Sequence, residues 1–238
     1  MEQKQLFFSI IIPAHNEELY IENTLQHILN LNYPAAKFEA IIIENGSTDK
    51  TLEVAKGLEN KNITVLSSTE KGVSKARNFG MSKISPNSDW VISLDADTLL
   101  KPEFLNDLNN YLQKNQNKNF CIGTSSLMPE PDSRKARWWF AFYDLSHKIF
   151  DVSYSIQMVK SSILKNIKFD ESMTKGEDLK FIKEAKRYGK FFFLKTPTVY
   201  TSTRRFEEVG WWKLLFDWTI SANLPYSIQK KMSYKVTR

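Results

Sequence analysis

Asp95 and Asp97 stand one residue apart, directly after the apolar-rich run Trp90-Val91-Ile92-Ser93-Leu94. Two carboxylates at that spacing suit a hard divalent cation, because Mg²⁺ and Mn²⁺ prefer oxygen ligands and take the rest of their shell from water and phosphate. A second acidic pair, Glu177-Asp178, follows Gly176 at the start of a predicted helix. A carboxylate placed there can take the proton of an attacking hydroxyl, a contribution of about 10²- to 10⁴-fold. Neighbouring helical residues point about 100° apart, so only one of the two is expected to face a substrate. In isolation, either pair reads equally well as acids settled near a helix N-terminus by its dipole. Their meaning therefore depends on the elements that position them.

Those elements alternate as far as about residue 125. Phe7 to Ile12 reads as a buried strand, and Glu17 to Leu31 follows with Leu19, Ile21, Leu25, Ile28 and Leu29 at roughly helical spacing. Glu39 to Glu44 is strand-like, Asn45-Gly46-Ser47 is turn chemistry, and Thr51 to Leu58 is a short helix with Ser47 or Asp49 as its cap. Strand Ile63 to Leu66, helix Val73 to Lys83, strand Trp90 to Leu94 and a proline-opened helix Pro102 to Gln113 complete the rhythm. Such alternation implies a mostly parallel, Rossmann-like α/β sheet covered by helices. Ligands of such sheets sit beyond the carboxyl ends of the strands. Pro13 to Glu17, Glu44 to Ser47 and Asp95 to Asp97 all lie at those ends. Beyond 125 the pattern changes: Arg134 to Phe150 is helical and aromatic, Tyr154 to Lys160 extended, Gly176 to Tyr188 helical, Lys190 to Lys195 a strand and Phe206 to Ala222 helical.

The 238 residues, 42% of them hydrophobic, suit one elaborated domain over 1–238, with a first half at about 7–125 and a second at about 126–238. The single cysteine, Cys121, excludes an intrachain disulfide, and the apolar run Leu6 to Ile12 is too short for a signal peptide or membrane span. A cytoplasmic protein is expected. The net charge of +6 is unevenly placed: Trp218 to Arg238 contains no Asp or Glu but carries Lys230, Lys231, Lys235 and Arg238. That tail is either a solvated basic terminus or a segment that meets an anionic surface, with peripheral contact at the inner face of the membrane.

Ser9-Ile-Ile-Ile-Pro-Ala-His-Asn-Glu-Glu18, Ile41-Ile-Ile-Glu-Asn-Gly-Ser-Thr-Asp49, Lys71-Gly-Val-Ser-Lys-Ala-Arg-Asn-Phe-Gly80, Leu94-Asp-Ala-Asp-Thr98 and Gly176-Glu-Asp178 together resemble the inverting GT-A-fold glycosyltransferases of family 2. The likeness runs over roughly residues 7 to 190, in order and at the family's spacing. It implies that Pro13, His15 and Glu17 border the nucleotide base and that Glu44 takes the place of an acid, usually Asp, that hydrogen-bonds it. The longer Glu leaves uracil and guanine both open, with a UDP-sugar favoured over a GDP-sugar. Lys71, Gly72 and Arg77 match the segment that closes over the nucleotide, where cations suit a diphosphate. Asp95, with Ala96 beside it, is implied at the ribose or at metal-bound water, and Asp97 on the metal, Mn²⁺ or Mg²⁺. Asp178 is the implied base and Glu177 the residue that positions acceptor hydroxyls. Thr201-Ser-Thr-Arg-Arg205 resembles a paired-arginine segment of some small members, so Arg204 and Arg205 are candidates for the diphosphate or an acidic acceptor. The only histidines are His15, His27 and His147, none in a position to be the third, C-terminal metal ligand of many GT-A enzymes.

The resemblance implies a hexosyl- or N-acetylhexosaminyl-transferase acting on a glycan or lipid-linked acceptor in cell-surface glycan or glycolipid synthesis. Nucleic acid is not an expected partner. Five of the six tryptophans fall in the second half, which in the family shapes the acceptor side, and aromatic faces suit a sugar ring or a lipid chain as well as a core. A non-catalytic membrane- or polyanion-binding protein on the same fold is the alternative, and the intact acids Asp95, Asp97 and Asp178 weigh against it. A nucleotidyltransferase would carry a glycine-rich loop after the first strand, which Pro13-Ala-His-Asn-Glu17 is not.

Overall fold

The computed structural model describes residues 4–224 and Ile228. In chain order its first half contains β1 (Phe8–Ala14), α1 (Ile21–Leu29), β2 (Phe38–Glu44), α2 (Thr51–Gly57), β3 (Ile63–Ser67), α3 (Val73–Met81), β4 (Trp90–Leu94), β5 (Thr98–Leu100), α4 (Phe104–Lys114) and β6 (Phe120–Ser125). The second half adds β7 (Met128–Glu130), α5 (Arg134–Phe150), β8 (Ile156–Lys160), α6 (Glu177–Ala185), β9 (Lys190–Leu194), β10 (Val199–Ser202), α7 (Arg204–Val209) and α8 (Trp211–Asn223). Seven strands form the main sheet in the order β3-β2-β1-β4-β8-β6-β9. The first four are mutually parallel, β8 runs antiparallel to both its neighbours, and β9 is parallel to β6.

The isoleucine runs explain the sheet. In β1, Phe8, Ile10 and Ile12 enter one apolar layer with α1 and α4, while Ile11 enters a second with Ile41, Ile43, Val91 and the helices α3 and α6. A strand covered on both faces needs apolar residues at consecutive positions, which is why β1 and β2 read as continuous rather than alternating runs. Each such buried isoleucine is worth about 1.5–3 kcal/mol. Gly80 lets α3 lie close on this sheet: a Cβ there would stand 2.4 Å from Ile11 Cγ2 and 3.2 Å from Ile43 Cγ1.

The structure departs from the sequence reading in three places. A small second sheet, β5-β10-β7, was not expected; it pairs Thr98 with Thr201 antiparallel and sets β7 parallel to β10. Strands of three or four residues carry too little period-two signal to be read from sequence. The single helix expected over Phe206 to Ala222 is two, α7 and α8, because Gly210 adopts φ 99°, a left-handed conformation that ends the first. Strand β6, Phe-Cys-Ile-Gly-Thr-Ser, is a further element that the sequence pattern does not announce. Cys121 within it is a buried free thiol. Most of the basic tail lies outside the described residues, among which no helix is long and apolar enough to cross a membrane.

Candidate active site

The acidic loop is fixed at both ends before its side chains act. The Asp95 N–H donates to Ser155 O at 2.9 Å, and the Thr98 N–H closes a turn onto Asp95 O at 3.1 Å. Thr98 then enters β5, where its hydroxyl meets Thr201 at 3.0 Å, and Thr201 meets the Ser155 hydroxyl at 2.9 Å. The small second sheet thus ties the loop after β4 to β10, and β10 delivers the two arginines that follow it.

Each acid of the loop is taken by a different arginine. Arg77, buried on α3, donates from Nη2 to Asp95 Oδ1 at 3.2 Å and from Nη1 to Asp178 Oδ1 at 2.7 Å and Glu177 Oε1 at 3.4 Å. Its guanidinium lies 5.1 Å from the Phe169 ring centroid, and Phe169 stacks on Phe181 of α6. Arg204 donates from Nη2 to both oxygens of Glu17 at 2.8 Å, sits 3.2 Å from Asp97 Oδ2, and lies 4.3 Å over the Tyr20 ring. Burial, against the pull of Arg77, pushes the Asp95 carboxyl up to about 6; burial, against Arg204, does the same for Asp97. Sequence had offered Arg77 to a bound nucleotide. In the structure its two Nη atoms hold protein carboxylates, and Nε has no hydrogen-bond partner among the described residues.

Glu177 and Asp178 open α6 after Gly176, whose φ of 78° needs no Cβ. Both reach the same Arg77 nitrogen, because a guanidinium beneath the first turn spans the angle between them. They differ in access, with the Asp178 side chain 32% exposed and that of Glu177 11%. Burial, reinforced by the neighbouring Asp178 charge, drives the Glu177 carboxyl well above its ordinary value.

The loops after β1 and β2 are joined to one another. The Asn16 N–H donates to Ser47 Oγ at 3.0 Å, Glu17 N–H to Thr51 Oγ1 at 2.7 Å, and Thr48 N–H to Asn16 Oδ1 at 2.7 Å. Pro13, His15 and Glu44 therefore share one rim, Pro13 being aligned with Ile43 and Ala14 with Glu44. Glu44 is buried; burial alone would raise its carboxyl, but donation by the Ser47 N–H to Oε1 and the Ser67 hydroxyl to Oε2 outweighs this and lowers it. Beside it the structure adds Asn45, which sequence had read only as turn chemistry. Asn45 is buried, its Nδ2 donates to Gly72 O at 3.2 Å, and its Oδ1 has no hydrogen-bond partner among the described residues. Lys71 is exposed and packs along Gly46, so Lys71 and Gly72 border the same rim. Ala96 is buried and its carbonyl accepts from the Thr24 hydroxyl at 2.6 Å. Arg205 packs over Trp218 at 5.8 Å and draws on the Asp97 charge. Tyr20, under Arg204, was also missed, since nothing in its spacing marks it.

A cleft of about 440 Å³ opens against Asp97 and Arg204, lined also by Tyr20, Asn23 and Thr203. A second of about 490 Å³ lies at the opposite strand ends, by Tyr33, Phe38 and Asn62, and includes no carboxylate. For a divalent cation the donor set fits. Asp95, Asp97, Glu17, Glu177 and Asp178 face Arg77, Arg204 and Arg205, leaving two formal negative charges unmatched. Among the described residues no three His, Cys, Asp or Glu side chains gather into a metal-holding cluster, so phosphate and water must complete any shell begun by Asp95 and Asp97.

The family described as Glycosyl transferase family 2 matches residues 9–167. That span holds the acidic loop and Arg77 and stops short of Glu177, Asp178 and Arg204. A dolichyl N-acetyl-alpha-D-glucosaminyl phosphate 3-beta-D-2,3-diacetamido-2,3-dideoxy-beta-D-glucuronosyltransferase of Methanococcus voltae is 30% identical over 199 residues, 74% of this chain and 60% of the relative. Staphylococcus aureus TarS 1-349 in complex with UDP has a similar structure, with a TM-score of 0.67 at 20% identity over 94% of this chain and 68% of that one. So has a mannosyltransferase of Pyrobaculum calidifontis in complex with GDP-Man and Mn²⁺, with a TM-score of 0.64 at 19% identity over 84% of this chain and 57% of that one.

Proposed function

The chain belongs to glycosyl transferase family 2 and has the GT-A fold, and from that premise we propose that it transfers a sugar from a nucleoside-diphosphate sugar to an acceptor hydroxyl with inversion. The observation that carries the reading is the convergence of Asp95, Asp97, Glu177 and Asp178 on two arginines at the carboxyl ends of the strands. A binding protein has no use for so many acids in one place.

Asp178 is the base: it is the more accessible acid of its pair, and Arg77 holds its orientation at 2.7 Å. Glu177, nearly enclosed, positions the acceptor. Inversion requires the hydroxyl to attack the sugar face opposite the leaving diphosphate, so the base and the diphosphate-binding groups must lie on opposite sides of the sugar. Arg204 and Arg205, with Lys71 across the rim, supply cations for the diphosphate. Pro13, His15, Glu17 and Glu44 border the base, with Gly72 beside them. Asp97 and Asp95 would hold Mn²⁺ or Mg²⁺, which as a Lewis acid stabilises charge on the departing diphosphate. The UDP of one structural neighbour and the GDP-Man of another leave the base open, and a UDP-sugar is our preferred donor. A lipid-linked acceptor accords with the dolichyl phosphate in the name of the Methanococcus relative; a glycan acceptor and a place at the cytoplasmic side of the membrane belong to the same proposal.

Asp178→Asn keeps the shape and loses the basicity, so turnover should fall at least about 10²-fold with donor affinity nearly intact. Normal turnover in Asp178→Asn with a dead Glu177→Gln would exchange the two roles. Asp97→Ala and EDTA should each abolish transfer, and full activity after exhaustive EDTA dialysis would remove the cation. A product anomer retained by proton NMR would overturn the displacement itself.

A further inference from the structure

Two helices of the second half turn large apolar side chains outward. On α5, Trp138, Leu145 and Ile149 recur at helical spacing and are 59%, 56% and 61% exposed. On α8, Trp212, Phe216 and Ile220 do the same at 61%, 63% and 60%. The two helices touch where buried Trp139 of α5 stands edge-on to Trp212 of α8 at 4.7 Å, and Trp138 lies edge-on to Trp139 at 5.2 Å. Isolated exposed hydrophobics are ordinary, but two aligned helical stripes with tryptophan in both form a surface that water does not favour.

The charges around the stripes say what covers them. Arg134, Lys135 and Lys148 of α5 and Lys213 of α8 are exposed, Lys135 lying 3.8 Å from Glu207 of α7 and 5.0 Å over the Trp211 ring. The acids of the two helices are engaged: Asp144 accepts the Leu127 N–H, and Asp217 pairs with Lys175 at 2.7 Å. From Leu224 the chain continues with Lys230, Lys231, Lys235 and Arg238 and no acid. We propose that the α5–α8 face is a membrane-docking surface, its tryptophan, phenylalanine and leucine side chains entering the interfacial layer of a bilayer while the flanking lysines and arginines meet anionic headgroups. A second copy of the chain is the poorer occupant, because a two-fold contact would set these cations against one another. The geometry also gives docking a purpose. Phe206 of α7 stacks on Trp211 at 4.6 Å, so the docked face lies one short helix from Arg204 and Asp97. An acceptor borne on a lipid would be presented beside the cleft; that consequence alone rests on the transferase reading.

The test is co-sedimentation of the full chain with phosphatidylcholine vesicles, with and without phosphatidylglycerol. Binding should need the anionic lipid, weaken at high salt and shift tryptophan emission to the blue. Trp212→Ser combined with Phe216→Ser should lower the apparent vesicle affinity about tenfold or more, and Lys135→Glu combined with Lys213→Glu should weaken the preference for anionic lipid. Tyr188→Ser, an exposed aromatic outside the stripes, should bind as the unaltered chain does, and circular dichroism melting checks that each variant folds. Absence of vesicle binding, or binding untouched in the stripe variant, overturns the proposal. So does a lipid-free dimer that the stripe variant dissolves, which would make a second copy the occupant. Donor hydrolysis measured without vesicles reports on the transferase reading separately.

Discussion

The arginine of the first half and the arginine of the second hold the same acidic loop in different ways. Arg77 stands under three carboxylates, those of Asp95, Glu177 and Asp178, and among the described residues no second guanidinium pairs with them. Arg204 faces two, Glu17 and Asp97, with Arg205 contributing to the latter. The first corner is therefore short of positive charge and the second balanced. Arg77 also lies against Phe169 in the second apolar layer, whereas Arg204 covers Tyr20 at the mouth of a cleft. The excess negative charge gathers where the base is proposed, and the more replaceable contact lies where a diphosphate would enter.

Loss of Arg77 should have the largest effect. Arg77→Ala would leave three carboxylates facing one another without a counter-ion. Removing one partner of a buried pair costs about 3–5 kcal/mol; because Asp95 and Asp178 are each about a third exposed, we expect about 3 kcal/mol. Urea unfolding would report it as a lower midpoint at unchanged slope. Arg77→Lys should recover only part, since an ammonium cannot span three acids as a planar fork does. A loss below 1 kcal/mol would mean that solvent already screens this corner.

Arg204→Ala should cost less, about 1–2 kcal/mol, because Arg205 remains beside Asp97 and Glu17 can turn toward water. Its larger consequence is functional: if Arg204 is exchanged from Asp97 to the diphosphate, the variant should bind UDP more weakly while melting close to the unaltered protein. Titration calorimetry with UDP and Mn²⁺ checks this. UDP affinity equal to that of the unaltered chain would remove Arg204 from the diphosphate site.

The contrast between the corners also marks where sequence was legible. Asp95, Asp97, Glu177 and Asp178 stood out through the order of motifs that resembles the family, since either pair alone reads equally well as acids at a helix start, and the first strands were read from isoleucine runs that must be buried on both faces. The partners of these acids did not. Arg77 reaches Asp178 across 101 residues and Arg204 reaches Glu17 across 187. Neither contact leaves a local period to read. Arg204 arrives through β5 and β10, three and four residues long, whose pairing depends on tertiary context rather than pattern. Asn45 and Tyr20 were missed for the same reason. Their types suit turns and helices anywhere, and only the rim around them makes one a buried amide and the other a platform.

The smallest expected effect concerns the surplus acid itself. Glu177 is nearly enclosed and stands beside Asp178, and burial followed by that repulsion raises its carboxyl above the ordinary 4.5 despite Arg77. The folded protein thus keeps this proton at a pH where the unfolded chain has released it. Stability from this group is complete below about pH 4.5 and is lost as pH rises toward neutrality, opposite in sign to an acid stabilised by its arginine. Glu177→Gln removes the titration. In EDTA-containing buffer, where no cation can compensate, the difference in unfolding free energy between variant and unaltered chain should move in the variant's favour across that window, by on the order of 1 kcal/mol. Parallel pH profiles would show that one guanidinium suffices for all three acids, and the two corners would then be equivalent in charge.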